Sequence, residues 1–119
     1  MVIYNQMVVD LELAPTEADR VFHALADATR RDIVTRTMGE ALSVSALAAG
    51  YPMSFAAVQK HVAVLESAGL VTKERRGREQ LVRGNARTIH RATFLLDQLE
   101  ALWRDRADRM TQVLAEDPT

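Results

Sequence analysis

A chain of 119 residues, 48% hydrophobic and 26% charged with a net charge of −1, has the size and apolar content of one globular domain, and a single domain over 1–119 is expected. The absence of cysteine excludes disulfides and thiolate metal sites. No apolar run reaches the roughly 18 residues a membrane span needs, and Met1-Val2-Ile3-Tyr4-Asn5 lacks the basic, apolar pattern of a leader, so a cytoplasmic setting without membrane contact is expected.

Residues about 3–13 carry Met7, Val8 and Leu11 and predict a first helix that stops before Pro15. Thr16 is the expected N-cap of a second, with Glu17 and Asp19 suiting the helix dipole and Val21, Phe22 and Leu25 facing inward. Asp27 can cap a third helix that buries Ile33 and Val34, keeps Arg30, Arg31 and Arg36 mostly outside, and ends at Gly39. Ser43 or Ser45 then opens a short helix containing Leu47 and Ala48, which Gly50-Tyr51-Pro52-Met53 breaks.

Ser54 has the hydroxyl that opens a further helix at Phe55, and Gly69 closes it. Val58, Val62 and Leu65 recur at the spacing of one buried stripe, with Phe55 close to the same side. Ala56, Gln59, Lys60, Ala63 and Ser67 point away from it. Next, Leu70-Val71-Thr72-Lys73-Glu74-Arg75 and Gln80-Leu81-Val82-Arg83 read as two strands joined by Arg76-Gly77-Arg78-Glu79, with Val71 and either Leu81 or Val82 inward. A last helix, about 88–114, repeats apolar residues at three and four: Ala92, Leu96, Leu99, Trp103, Met110 and Val113, widened by Leu95 and Leu102.

This order predicts a mostly α fold with a small β-hairpin: a winged helix-turn-helix of five to six helices plus a two-stranded wing. So small a body covers only part of the last helix's stripe, so Met7 and Leu11 with Leu95, Leu96, Leu99, Leu102, Trp103 and Met110 are expected to meet a second copy, making the helices about 3–13 and 88–114 dimerisation elements.

Charge points to the partner. From Ser54 to Arg91 there are eight Lys or Arg against three acids, a local +5, which leaves −6 for the rest of the chain. Segregation of this kind is the footprint of a one-sided polyanion-binding surface, and double-stranded DNA is the expected partner. Small Ala56 and Ala57 let the helix approach a groove floor, Ser54 and Gln59 can meet base edges, and Lys60 can reach guanine or phosphate. Lys73, Arg75, Arg76 and Arg78 of the wing are expected on the DNA backbone, as is His61, which at the rim of the stripe suits a phosphate or backbone oxygen as well as a base. No Gly-x-Ser-x-Gly elbow, Gly-rich phosphate loop or His-Glu-x-x-His pair occurs, so neither catalysis nor a cofactor is expected. The rival reading is a winged module that has lost DNA and docks a protein through its last helix; Arg75, Arg76 and Arg78, within four residues, argue against it.

Ala24-Leu25-Ala26-Asp27-Ala28-Thr29-Arg30-Arg31-Asp32-Ile33, Val44-Ser45-Ala46-Leu47-Ala48, Met53-Ser54, Ala57-Val58-Gln59-Lys60-His61-Val62, Val64-Leu65-Glu66-Ser67-Ala68-Gly69-Leu70-Val71 and Gly77-Arg78 together resemble the ArsR (SmtB-like) winged helix-turn-helix transcriptional regulators over about Phe22 to Arg83. The resemblance implies a homodimer on an imperfect palindrome, usually a repressor, with the wing along the flanking minor groove and dimer contacts from the first and last helices. Ser43 and Ser45 stand where metal-sensing members carry a cysteine pair, and His90 with Asp97 and Glu100 is a thin counterpart to the zinc ligands other members place on the last helix, so no metal is expected. Ala28 stands where proline is common, which costs little because alanine continues a helix, and Gln59 stands where serine is frequent, which implies an unusual base sequence read there. Release of the DNA is left open between a small apolar ligand, a partner protein and no effector at all.

Overall fold

The computed structural model describes residues 11–116. The expected first helix falls mostly on residues 1–10, outside the described residues together with Met7; Leu11 is half-buried. Helix α1 spans Pro15–Leu25. Its N-cap is Ala14 rather than the expected Thr16, because Pro15 already has the helical φ and no amide hydrogen to satisfy at the first position. Alanine offers no acceptor, so only the returning half of a capping box is made, with the Ala14 amide donating to Glu17 Oε1 at 3.1 Å. Val21 and Ala24 are buried and Leu25 half-buried, whereas Phe22, expected inside, is exposed.

Helix α2, Ala28–Gly39, opens where Asp27 accepts the Arg30 amide at 3.0 Å, and it buries Ile33, Val34 and Thr37. Thr37 Oγ1 donates to the Ile33 carbonyl at 2.7 Å, which satisfies the buried hydroxyl. Strand β1 is the pair Leu42–Ser43, and helix α3 is Val44–Ala49. Of the two serines considered, Ser43 is the cap, accepting the Ala46 amide at 3.0 Å. Helix α4, Phe55–Ser67, is capped by Ser54, whose Oγ accepts the Ala57 amide at 3.1 Å, and Val58, Val62 and Leu65 form its buried stripe. The helix stops at Ala68 and the chain reverses through Gly69, whose φ of +75° is costly for any residue with a Cβ.

Strands β2 (Val71–Arg76) and β3 (Glu79–Gly84) pair antiparallel from Val71 opposite Gly84 to Arg76 opposite Glu79. Gly77 opens the two-residue loop at φ +61°, with Arg78 at negative φ, the pattern of a type II′ hairpin. The expected two-stranded wing is a three-stranded sheet in the order β1-β3-β2, because Leu42 and Ser43 pair with Val82 and Leu81. That third strand anchors the hairpin's base to the helical body. Val71 and Val82 point inward and are buried, and Leu81 is half-buried.

Helix α5, Ala86–Ala115, starts two residues earlier than expected because Asn85 caps it, its Oδ1 accepting the Arg87 amide at 3.1 Å. Asn85 Nδ2 and Thr88 Oγ1 both donate to the Gly69 carbonyl, at 3.0 and 2.6 Å, so the end of α4 is stitched to the start of α5. The core lies between the helices and the sheet, with Ile33, Leu47, Val58, Leu65, Leu70, Val71 and Val82 almost wholly enclosed. Only Thr88 and Ala92 of α5 are buried. Among the described residues, everything from Leu96 onward is exposed.

Candidate nucleic-acid interface

Helix α4 is held from behind by its apolar stripe and at its first turn by Ser54. Its outer face is thereby left without core duty. Ser54, Ala56, Gln59 and Lys60 are exposed and Ala57 is half-buried. The turn that feeds this helix is latched to α2: the Tyr51 hydroxyl donates to Asp32 Oδ2 at 2.6 Å, and the Arg36 guanidinium lies 5.4 Å from the ring centroid. Partial burial, then the hydrogen bond to Asp32, pushes the Tyr51 phenol above its usual pKa. The hydroxyl therefore stays a donor at neutral pH.

A second tie joins α4 to the corner between α1 and α2. Arg30 Nη1 meets His61 Nδ1 at 3.2 Å, while its Nε and Nη2 donate to the carbonyls of Ala24 and His23 at 2.7 and 3.2 Å. For this contact to be a hydrogen bond, His61 Nδ1 must be the acceptor of a neutral ring, which leaves Nε2 as the nitrogen able to turn outward. Asp27 sits at the same corner. Its carboxyl is held below the usual carboxylate range by the Arg30 amide, with the charge of the Arg30 guanidinium adding to the effect. Sequence reading missed this link, because 31 positions separate Arg30 from His61 and no local pattern announces the pair.

The wing's cations divide into two groups. Lys73 is half-buried and paired with Glu66 of α4 at 3.3 Å, so it braces β2 against the recognition-type helix, and a phosphate would have to displace that carboxylate. Arg75, Arg76 and Arg78 are exposed at the tip. Arg75 Nε donates to the Gly77 carbonyl at 3.4 Å, and Arg76 has the exposed Glu74 beside it at 3.6 Å, a pairing that water and salt weaken. Among the described residues Arg78 has no hydrogen-bonded or ionic partner. One correction concerns Phe55. Expected close to the buried stripe, its side chain is 47% exposed at the first position of α4.

On α5, Leu95 is half-buried, while Leu96, Leu99, Leu102, Trp103 and Met110 form an exposed apolar row with Val113 and Leu114. Arg106 and Arg109 interrupt it and, with Leu99, Leu102, Trp103 and Asp105, line a shallow groove of about 330 Å³ along the helix. Among the described residues no group of three or more His, Asp or Glu is arranged to hold a metal ion, and no helix is long and apolar enough to cross a membrane.

A short two-helix unit with a tight turn, a second helix whose outer face is free, and a braced cationic hairpin define a winged helix-turn-helix protein. A family described as a helix-turn-helix domain matches residues 25–74. The fold is similar to that of an ArsR-like transcriptional regulator from Rhodococcus sp. RHA1, with a TM-score of 0.75 and 33% identity over 82% of this chain and 92% of that one. The chain belongs to the ArsR family of winged helix-turn-helix transcriptional regulators. It is also 49% identical over 53 residues to an HTH-type transcriptional regulator of Mycobacterium tuberculosis, a segment covering 44% of this chain and only 50% of that protein. A homodimeric winged helix-turn-helix DNA-binding domain from Mycobacterium bovis, an ArsR-family candidate, matches with a TM-score of 0.55 and 28% identity over 78% of this chain and 80% of that fragment.

Proposed function

We propose that this single-domain chain is a DNA-binding repressor that occupies a palindromic operator as a homodimer, with no catalytic role. The observation that carries the reading is the pairing of a free α4 face with the Arg75-Arg76-Arg78 tip, held together by the Lys73–Glu66 bridge. In this reading Lys60, Arg75, Arg76 and Arg78 engage phosphates, Ser54, Ala56, Ala57 and Gln59 face base edges, and His61 offers Nε2 to the DNA backbone. The residues of about 3–13 and the exposed row of α5 form the two-fold interface, which the homodimeric M. bovis domain supports by analogy.

The test is a titration of an operator and a scrambled duplex at several salt concentrations. Arg76→Ala should weaken both duplexes alike and flatten the salt dependence by about 1.8, that is roughly 0.9 for each of two phosphate contacts in a dimer. Gln59→Ala should instead relax the preference at one position per half-site, by roughly 1–3 kcal/mol if the amide is bidentate to adenine. Equal losses on both duplexes for Gln59→Ala would remove it from base reading.

A further inference from the structure

Phe55 is a large apolar side chain that the described fold leaves half uncovered. It is the first residue of α4 and 47% exposed, and it is not among the side chains packed on the core. The position that often takes a hydrophobic residue at a helix start is the one before the cap, packing on the fourth helical residue. Met53 fills that role here: half-buried against the core, it precedes Ser54, and the buried Val58 is its counterpart. At 3.6 residues per turn Phe55 lies about 50° from the centre of the Val58, Val62 and Leu65 stripe and directly one turn before Gln59. Ala56, beside it, leaves the approach open.

We propose that Phe55 reads the C5-methyl group of a thymine in the major groove, next to the base that Gln59 addresses. The proposal rests on the reading of α4 as the DNA-facing helix. Thymine alone among the four bases presents a methyl group in the major groove, and apolar contact is the way it is recognised. A ring seated there removes apolar surface of both partners from water. Against cytosine the same ring would cover an amino group without offering it an acceptor, so the contact discriminates between the two pyrimidines. Two-fold symmetry gives one such thymine in each half-site.

The experiment starts by selecting bound sequences from a random duplex pool with the full-length chain. Each thymine of the selected operator is then replaced in both half-sites by deoxyuridine, which lacks only the methyl group, and affinities are measured for wild type, Phe55→Leu and Phe55→Ala. One symmetric replacement should weaken the wild type by about fifteenfold, since burial of one methyl is worth roughly fourfold and two are lost. Phe55→Ala should bind the thymine operator that much more weakly and be indifferent to the replacement, while Phe55→Leu keeps most of the sensitivity. Wild type indifferent to deoxyuridine at every position, or Phe55→Ala as sensitive as wild type, overturns the role of Phe55 while leaving DNA binding intact. A pool that yields no preferred sequence overturns both.

Discussion

Glu17 joins three parts of the chain through one carboxylate. It accepts the Ala14 amide at the start of α1 and bonds from Arg91 Nη1 and Nη2 of α5 at 3.2 and 3.3 Å, and the same Nη2 also donates to the Glu12 carbonyl at 2.7 Å. The Ala14 amide first, and then the hydrogen bond from Arg91, hold the Glu17 carboxyl below its usual range. A carboxyl depressed in the folded state contributes stability above its unfolded pKa and loses that contribution as pH falls through the folded pKa. Wild type should therefore melt higher than Glu17→Gln at neutral pH, and the gap should close on acidification below the ordinary carboxylate range. Melting curves of both proteins across pH 2–7 check this; a gap that is constant with pH would mean the charge plays no part. Glu17 was visible in the sequence as a dipole-suited acid, but Arg91 lies 74 positions away, so its partner was not. Phe55 shows the opposite error. Its place at the flank of an apolar stripe is compatible with either burial or exposure, and periodicity alone cannot decide between them.

Elements bounded by strong local chemistry were legible from the sequence. Helix α4 begins after Ser54 and the chain turns at Gly69 as read, because a capping hydroxyl and a residue free to take positive φ sit at its two ends. The wing's loop followed from Gly77 in the same way. Strand β1 was missed because two residues, Leu42 and Ser43, are too few to show alternation, and their pairing is decided by β3 some forty positions later. The start of α5 lies two residues before the expected one, because the apolar repeat from Ala92 does not mark the boundary, whereas Asn85 performs the capping and also ties α5 to Gly69. Asn85→Ala should cost about 1–2 kcal/mol, the worth of an N-cap. For a domain of this size that corresponds to a fall of roughly 5–10 °C in Tm. The Gly69 carbonyl keeps Thr88 as a donor, so the loss should stay in that range. Thermal denaturation with calorimetric confirmation of two-state behaviour measures it, and an unchanged Tm would show that the cap is dispensable.

At the scale of the whole molecule, the long free end of α5 is the feature that a single copy leaves unexplained. About twenty residues beyond Ala92's packing have no core beneath them, and isolated helices of that length are marginal in water. The pairs Glu100–Arg104 and Asp105–Arg109 help by only a few tenths of a kcal/mol each. A second copy laid on Leu96, Leu99, Leu102 and Trp103 would supply the missing burial and would set two α4 helices and two wings on one duplex. Leu99→Arg, placing a charge in the middle of the row, should convert the dimer to monomer in sedimentation equilibrium and lower the α-helical signal. Asp97→Asn, on the opposite side of the helix, should leave both unchanged. Dimerisation unaffected by Leu99→Arg would place the interface elsewhere.

The central claim, that two cationic wings and two reading helices act together on duplex DNA, is tested most directly by following wild-type binding to the selected operator against its scrambled counterpart over a range of salt. The account predicts that one dimer binds per operator, with at least a thousandfold preference over the scrambled sequence at physiological salt, as specific regulators show. It also predicts a log-log salt slope near −7, since Lys60, Arg75, Arg76 and Arg78 from two subunits give about eight phosphate contacts at roughly 0.9 each. Binding that is equal on the two duplexes, or a slope close to zero, would contradict it.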